Sequence, residues 1–314
     1  MPDWLIERGI GETRAVRIEQ DEIVEAQILL DGVTAAGTVL EARLRQAGTP
    51  AIAEAKGQEF LLPKGARGHA EGSLVRIEVT REAIPGTEPW KRPLARLAGE
   101  EPAGAPPIDG ETLPFPAPAD RLEAAGWSDL LEEARSGIVR FEGGELRISP
   151  TPAMTLIDVD GTLPPEQLAW QAAAQAARAI LRHGIGGSLG IDFPTLTGKA
   201  QRQAIAEIID SILPQPFERT AVNGFGFLQI VRPRRHASLF ELAQDRAAFE
   251  ARAIVRRAAF EPAGPKRLAA HPAVIAVLGS HPGWLEALAS QVGGAVTLRA
   301  DASIPIHGGY AETP

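Results

Sequence analysis

Hydrophobic and polar residues alternate along the first third of the chain in short runs that are typical of β-strands. The alternation over 15–19 and 23–28 predicts a hairpin with its turn at 20–22. Further strands are predicted between Gly and Pro residues, at 39–44, 59–62 and 74–79. Short strands at this spacing predict a small β-barrel over 37–98.

The second half of the chain alternates strands with helices. Apolar runs at 154–158 and 187–192 predict two strands, and the alanine-rich stretch 166–182 between them predicts a helix. A helix over 195–213 and a strand over 226–231 follow. A strand–helix–strand order is typical of an α/β fold with neighbouring parallel strands.

The remaining segments predict further elements and a division into domains. A helix is expected over 120–135, and Gly-Gly at 143–144 predicts the turn of a hairpin between 138–141 and 146–148. The tail predicts a helix over 239–259, a strand over 273–278, a helix over 283–290 and a strand over 295–299. We therefore expect five parts: 1–36 with 120–150, a barrel at 37–98, a proline-rich linker at 99–119, an α/β domain at 151–237 and a small α+β domain at 238–314.

Composition narrows the class of protein. The 314 residues are 44% hydrophobic and 23% charged, which is ordinary for a globular protein, and no apolar run is long enough to span a membrane. The absence of Cys excludes disulfides and thiolate zinc sites, so we expect a cytoplasmic protein. The net charge of −8 argues weakly against nucleic-acid binding, although a local basic stripe can still bind RNA.

Two aspartates lie at the ends of the two predicted neighbouring strands, Asp158 and Asp192. Parallel strands would bring these carboxylates to the same end of the sheet, where they repel each other unless a cation lies between them. Mg²⁺ takes few protein oxygens and keeps other positions for water and phosphate. The pair therefore predicts a metal site for phosphoester chemistry, against the plainer reading that each Asp is a turn former or helix cap.

One short motif favours a different enzyme. Residues 158–162 read Asp-Val-Asp-Gly-Thr, which resembles the first motif of haloacid-dehalogenase-type phosphatases. In that reading Asp158 is the nucleophile and Asp160 the general acid. The motif normally opens its domain, whereas half of this chain precedes it, and no later acidic pair is evident.

A second resemblance covers almost the whole chain. Residues 157–160 read Ile-Asp-Val-Asp where the ribonuclease E/G family of endoribonucleases has Val-Asp-Ile-Asn. Residues 186–193 read Gly-Gly-Ser-Leu-Gly-Ile-Asp-Phe, and 225–234 read Phe-Gly-Phe-Leu-Gln-Ile-Val-Arg-Pro-Arg, both similar to motifs of that family. Because the three motifs occur in order and at similar spacing, the sequence resembles a compact member of this family.

The resemblance implies a fold and an activity. It implies an α/β catalytic domain of the DNase I-like and RNase H-like type, an inserted OB-fold and a small α+β C-terminal domain. Asp158 and Asp192 would hold Mg²⁺, with Mn²⁺ as the alternative, and Asp160 would support Asp158 in place of the family's Asn. The expected activity is hydrolysis of single-stranded RNA that leaves a 5′-phosphate and a 3′-hydroxyl.

The resemblance also implies RNA contacts, which we assign to Arg232, Arg234, Arg235, Phe60, Arg81 and Lys91. Arginines would bind phosphates with their planar guanidinium groups, and Phe60 would stack on a base. The alternatives are an ordinary solvated arginine cluster and a Phe60 that belongs to the barrel core.

Two departures from the family affect the expected assembly and activity. The family's Cys-x-x-Cys zinc link is missing, which excludes a zinc-linked assembly. The oligomeric state stays open, and the resemblance implies the C-terminal domain as the place where a homodimer can form. Asp160 adds a negative charge where the family has an amide. A non-catalytic RNA-binding relative therefore stays open beside the nuclease and the phosphatase.

Overall fold

The computed structural model describes residues 4–85, 91–99 and 101–314. The strands are β1 (Trp4–Arg8), β2 (Glu12–Glu19), β3 (Glu22–Leu30), β4 (Val39–Gln46), β5 (Ala51–Ala55), β6 (Gln58–Leu62), β7 (Leu74–Arg81), β8 (Leu94–Leu97), β9 (Gly110–Leu113), β10 (Ile138–Phe141), β11 (Gly144–Pro150), β12 (Thr155–Gly161), β13 (Gly187–Asp192), β14 (Glu218–Arg219), β15 (Phe227–Arg232), β16 (Lys266–Ala270), β17 (Val296–Ala300) and β18 (Tyr310–Glu312). The helices are α1 (Arg121–Ala124), α2 (Trp127–Ser136), α3 (Pro165–Arg182), α4 (Lys199–Ile212), α5 (Leu239–Leu242), α6 (Arg246–Phe260), α7 (Pro272–Ser280) and α8 (Pro282–Val292).

The chain is a mixed α/β protein that divides into two compact units. The first unit comprises Met1–Asp31, Asp109–Leu130 and Leu242–Pro314, and the second comprises Gly32–Ile108 and Leu131–Glu241. This division differs from the five predicted parts. Residues 131–150 supply β10 and β11 to the sheet of the second unit, and the tail shares the first unit with the N-terminal strands.

The described residues of the first unit form two sheets. The predicted hairpin is confirmed as β2 and β3, in a sheet with the order β3-β2-β1-β9. Strand β9 pairs in parallel with β1, although its residues lie in the segment predicted as a linker. The second sheet has the order β17-β16-β18 and shares an apolar core with α6, α7 and α8.

The strand predicted over 273–278 is wrong, because this segment forms helix α7. Pro272 occupies the first turn, where a missing N–H is tolerated, and the His271 ring accepts the N–H of Ala273 at 3.2 Å. Val274 and Leu278 are the buried residues, four positions apart on one helix face. The run is apolar at nearly every position, so periodicity alone could not separate helix from strand.

A buried ion-pair network joins elements of the first unit. Glu7 accepts hydrogen bonds from Arg14 Nη1 at 2.5 Å and Arg256 Nε at 2.9 Å. Glu12 accepts from Arg14 Nε at 2.7 Å and Arg252 Nε at 3.0 Å. All five side chains are buried, so each charge depends on its partners for the solvation that water would otherwise supply.

The second unit contains the predicted barrel. Strands β4-β5-β6-β8-β7 form a closed barrel, and alternate residues of each strand point into its core. The largest of these inward side chains is Phe60, which is completely buried. A closed barrel leaves no unpaired strand edge, which suits a small domain inserted between other elements.

The second unit also contains a six-stranded sheet with the order β10-β11-β12-β13-β15-β14. One face of this sheet packs with α3 and α4 in a single apolar core. The alanine-rich side of α3 lies in that core, with Ala172, Ala173 and Ala176 fully buried. Small side chains let the helix approach the strands closely. The predicted order of strand, helix and strand is confirmed.

A buried carboxyl lies where the barrel meets the segment that follows β15. Glu82 is 7% exposed, its carboxyl accepts the Ala36 N–H at 3.2 Å, and its own N–H donates to the Arg235 carbonyl at 2.8 Å. Burial raises the pKa of the Glu82 carboxyl to about 7, although the Ala36 hydrogen bond and the Arg235 charge favour its ionised form.

Within the described ranges, no helix is both long and apolar enough to cross a membrane.

The Glu82→Gln variant should become more stable than the parent protein as pH rises. An acid whose pKa is higher in the folded state costs stability once the unfolded state has lost its proton. Stability of the parent protein should therefore fall between pH 4.5 and about 7. A glutamine at this position cannot ionise and keeps an oxygen for the Ala36 N–H. Unfolding free energies of both proteins are measured at pH 5 and pH 8.5. Between these pH values the stability of the variant relative to the parent should increase by up to about 3 kcal/mol. Glu41→Gln, at an exposed barrel position, should give a pH-independent difference, and an equal response of both variants would contradict the assignment.

Glu7→Gln should destabilise the first unit strongly. The substitution keeps the side-chain shape but removes the buried negative charge that Arg14 and Arg256 share, while Arg14 keeps Glu12 and Arg256 keeps Asp120 as partners. The expected loss is about 3 kcal/mol, the lower end for a broken buried ion pair. Denaturant unfolding measures it. The matched control is Glu111→Gln, which removes the exposed pair with Arg121 and should cost less than about 1 kcal/mol. Equal effects of the two variants would show that the buried network does not stabilise the unit.

Candidate functional site

Asp158 and Asp192 lie directly opposite each other in the sheet of the second unit. They are register partners in the parallel ladder between β12 and β13. Neighbouring strands are separated by about 4.8 Å, and partners in a ladder point to the same face. Both side chains are exposed on the face opposite to α3 and α4, which we call the exposed face of the sheet.

The alternation of apolar residues explains why both carboxylates reach the same face. Ile157 and Val159 flank Asp158 and are buried in the core, and Ile191 precedes Asp192 and is buried there as well. With a period of two, burying these side chains turns the aspartates outward. The predicted pair is thus brought together by the structure.

Neither carboxylate of this pair has a hydrogen bond or ion pair with any residue in the described ranges. Two such charges one strand apart repel each other, and a cation between them would relieve the repulsion. The donor set fits Mg²⁺, which binds through one or two carboxylates and keeps several waters. The described part of the chain holds no group of three or more His, Cys, Asp or Glu suited to a metal, so water or substrate oxygens would complete the coordination.

A second carboxylate pair on the same face is held by arginines. Asp160 is the register partner of Glu145, and Arg147 is the register partner of Asp158. Arg147 lies 2.7 Å from Glu145 and 3.9 Å from Asp160, and Arg140 lies 3.8 Å from Glu145. The charge that Asp160 adds in place of an amide is therefore offset locally, whereas Asp158 and Asp192 stay unpaired in the described chain.

Apolar side chains form a floor beside the Asp158–Asp192 pair. Phe227 is the register partner of Asp192, and its ring lies over Gly190, where a Cβ would come within 2.5 Å of ring atom Cζ. Leu156 lies on the other side of Gly190 and is partly exposed. A side chain at 190 would clash with the Phe227 ring, so the close approach of this ring requires glycine there.

Phe225 projects into solvent from a tight turn at the carboxyl end of β13. Its side chain is 84% exposed. The Asn223 side-chain oxygen accepts the N–H groups of Phe225 at 2.9 Å and Phe227 at 3.0 Å. Gly226 has φ +96°, and its carbonyl accepts the Phe193 N–H at 3.2 Å. The turn therefore holds an exposed aromatic ring close to Asp192.

Arg232 lies away from the aspartate pair. It is the register partner of Gly187, five residues before Asp192, which corresponds to about 17 Å along the strand. It shares its strand face with Leu228 and Ile230, which are buried on the helix side, and it donates to the Ile185 carbonyl at 3.2 Å. The structure thus places Arg232 at the opposite end of the ladder and on the opposite face.

Arg234 and Arg81 form a separate, partly buried group. Arg234 is ion-paired with Glu241, and its side chain packs against Gly187. Arg81 donates to the Arg92 carbonyl at 2.7 Å. Burial lowers the pKa of the Arg81 guanidinium, and the positive charge of Arg234 acts in the same direction. Both arginines are therefore held by intramolecular partners.

Arg235 and Lys91 differ in how accessible their charged groups are to a phosphate. Arg235 is exposed, and its guanidinium has no hydrogen-bond partner in the described chain. Lys91 donates to the Pro152 carbonyl at 2.8 Å, between the barrel and the loop before β12. Of the predicted phosphate contacts, Arg235 is the most accessible.

The predicted stacking of a base on Phe60 is corrected by the structure. Phe60 is 0% exposed and lies among the core residues of the barrel. No face of its ring is free, so it is a packing residue.

Two residues near the aspartate pair were not among the predicted site residues. The signal for Arg147 was strand alternation. It lies between Leu146 and Ile148, which are both buried, so its side chain points to the exposed face. Phe225 opens the motif at 225–234, but no functional role was assigned to it from the sequence. Its Gly neighbours at 224 and 226 were the available signal for a turn.

Gly226→Ala should destabilise the protein by roughly 1–3 kcal/mol in denaturant unfolding. An alanine must adopt the left-handed φ of +96°, and its Cβ would clash with the Phe193 carbonyl oxygen. The control is Gly224→Ala in the same turn, where a Cβ meets nothing within 4 Å. If the two alanine variants unfold alike, the turn is not held in the way described.

Neither a scan against protein-family models nor a search of the curated proteins finds a match to this chain.

Proposed function

We propose that this protein is a Mg²⁺-dependent endoribonuclease that hydrolyses phosphodiester bonds of single-stranded RNA and leaves a 5′-phosphate and a 3′-hydroxyl. The observation that carries the proposal is the unpaired carboxylate pair of Asp158 and Asp192, opposite each other on neighbouring parallel strands of the described chain. The ordered motifs around them support the nuclease over other phosphoester chemistry.

Asp158 and Asp192 would hold the metal, and Mn²⁺ could substitute because it prefers the same oxygen ligands. A bound Mg²⁺ lowers the pKa of a water ligand and neutralises charge on the attacked phosphate. The protein's part is to fix both carboxylates on a rigid sheet, where neither needs to move to meet the cation. Residues on a strand hold such geometry better than residues on a loop.

Arg147 and Asp160 would tune this site. Arg147 is half exposed and lies beside Asp158 in the ladder, so its guanidinium can turn from Glu145 to a substrate phosphate. Asp160 would retain Arg147 near the reacting phosphate through their contact at 3.9 Å. In this proposal Asp160 acts as a positioning residue.

We further propose that the closed barrel is an OB-fold that binds RNA, and that the six-stranded sheet belongs to a DNase I-like and RNase H-like catalytic domain. The closed five-stranded topology supports the first assignment. Arg235 is the best supported RNA contact because its guanidinium is exposed, whereas Arg81, Arg234 and Lys91 would have to exchange an existing partner for a phosphate. Action in the cytoplasm and a homodimer through the C-terminal segment remain predictions.

Asp158→Asn and Asp192→Asn should each lower RNA cleavage by roughly 100- to 1000-fold, because each removes one charge from the metal site. The measurement is cleavage of a labelled single-stranded RNA over a Mg²⁺ titration, with EDTA as the metal-free arm. The thermal stability of either variant should not fall, since the substitution relieves repulsion within the pair. Glu166→Gln, at an exposed position in the first turn of α3, should cleave normally.

The outcomes separate the nuclease from its alternatives. Full activity of either Asn variant would refute the metal site. Turnover of a small phosphomonoester that needs Asp158 and Asp160 but not Asp192 would support the phosphatase instead. RNA binding with no Mg²⁺-dependent cleavage by the unsubstituted protein would support a non-catalytic RNA-binding relative.

A further inference from the structure

The exposed ring of Phe225 is unusual among the large apolar side chains of the second unit. It is the most exposed of those described, at 84%, compared with 58% for Leu74 and 54% for Trp170. An apolar ring in water costs free energy, roughly in proportion to its area. A single exposed residue needs no explanation by itself, so its surroundings must decide whether the ring has a role.

The turn that carries Phe225 is held by several independent contacts. Besides the two hydrogen bonds to the Asn223 side chain, the Asn223 N–H donates to the Phe227 carbonyl at 3.0 Å, and the Gly226 N–H donates to the Asn223 carbonyl at 3.2 Å. The Thr195 hydroxyl reaches the Phe225 carbonyl at 3.4 Å. The backbone of the ring is therefore fixed before any ligand arrives, which lowers the entropic cost of binding.

The position of this turn relates the ring to the carboxylate pair. Phe227 is the register partner of Asp192, and the Phe193 N–H donates to the Gly226 carbonyl at 3.2 Å. Phe225 thus lies two residues before the register partner of Asp192, in the turn just beyond the end of the ladder. Phe227 and Leu156 supply apolar surface on the other side of Asp192.

We propose that Phe225 is a stacking platform for a nucleobase of the RNA strand whose phosphate lies at Asp158 and Asp192. This inference rests on the proposed nuclease function and adds a substrate contact that sets the position of the strand. A base has an apolar face and no charge, so it suits an aromatic ring beside two carboxylates better than an acidic or strongly polar ligand would. Stacking tolerates any base, which agrees with a strand held without sequence-specific hydrogen bonds.

The test measures binding without cleavage. Binding is measured on the 314-residue chain that carries Asp158→Asn and Asp192→Asn, which remove both carboxylate charges. A fluorescent decaadenylate is titrated with this protein in EDTA, and binding is followed by anisotropy. Adding Phe225→Ala should weaken binding roughly tenfold or more, and Phe225→Trp should preserve it. Trp170→Ala removes an exposed aromatic from α3 and should change nothing. For a decamer of the same backbone without bases, Phe225→Ala should have no effect.

Several results would overturn the proposal. These are unchanged decaadenylate binding in Phe225→Ala, an equal loss for the abasic decamer, and no measurable binding by the protein that retains Phe225. A change from dimer to monomer on sedimentation of Phe225→Ala would instead identify the ring as a contact between copies of this chain. Asn223→Ala should weaken decaadenylate binding in part, and Asn223→Asp should restore it, because a carboxylate oxygen can accept the same two N–H groups.

This design keeps the platform and the nuclease separable. Base-dependent loss of binding in Phe225→Ala, with no Mg²⁺-dependent cleavage by the parent protein, would support the platform and refute the nuclease. Cleavage that needs Asp158 and Asp192, with unchanged binding in Phe225→Ala, would refute the platform alone.

Discussion

The parallel register between β12 and β13 is the constraint on which the site depends. Because side chains alternate along a strand, a slip of one residue would turn Asp192 into the core and leave Ile191 in water. Burial of Ile157, Val159 and Ile191 against α3 and α4 therefore selects the register that sets Asp158 opposite Asp192. Apolar packing on one face thus stabilises an electrostatically unfavourable arrangement on the other.

The exposed face shows how charge is distributed around that arrangement. Asp160 and Glu145 have Arg147 and Arg140 as partners, so their charges are compensated within the protein. Asp158 and Asp192 are left without such compensation in the described chain. A pair that the fold brings together but does not neutralise is suited to a cation, and Arg147 is close enough to serve either the protein's carboxylates or a phosphate.

Most arginines singled out as RNA contacts serve the structure. Arg234 is committed to Glu241, Arg81 to a backbone carbonyl and Arg232 to the carbonyl of Ile185, all within the second unit. Arginine suits this work because its planar group can satisfy several acceptors while remaining charged. An arginine-rich segment in the sequence therefore indicates only that the local charge is positive. The intramolecular partners of each side chain decide which guanidinium faces solvent, and that of Arg235 does.

Local periodicity was enough to determine the hairpin of β2 and β3, the barrel strands β4, β6 and β7, and the strand–helix–strand order that carries Asp158 and Asp192, because these features repeat every two or 3.6 residues. Periodicity does not state which strands pair or which aromatic ring is covered. Phe60 and Phe225 are the same residue type, yet one is fully buried and the other 84% exposed. The uniformly apolar run of α7 likewise left helix and strand undecided. These outcomes depend on contacts between distant segments, so only the tertiary structure decided them.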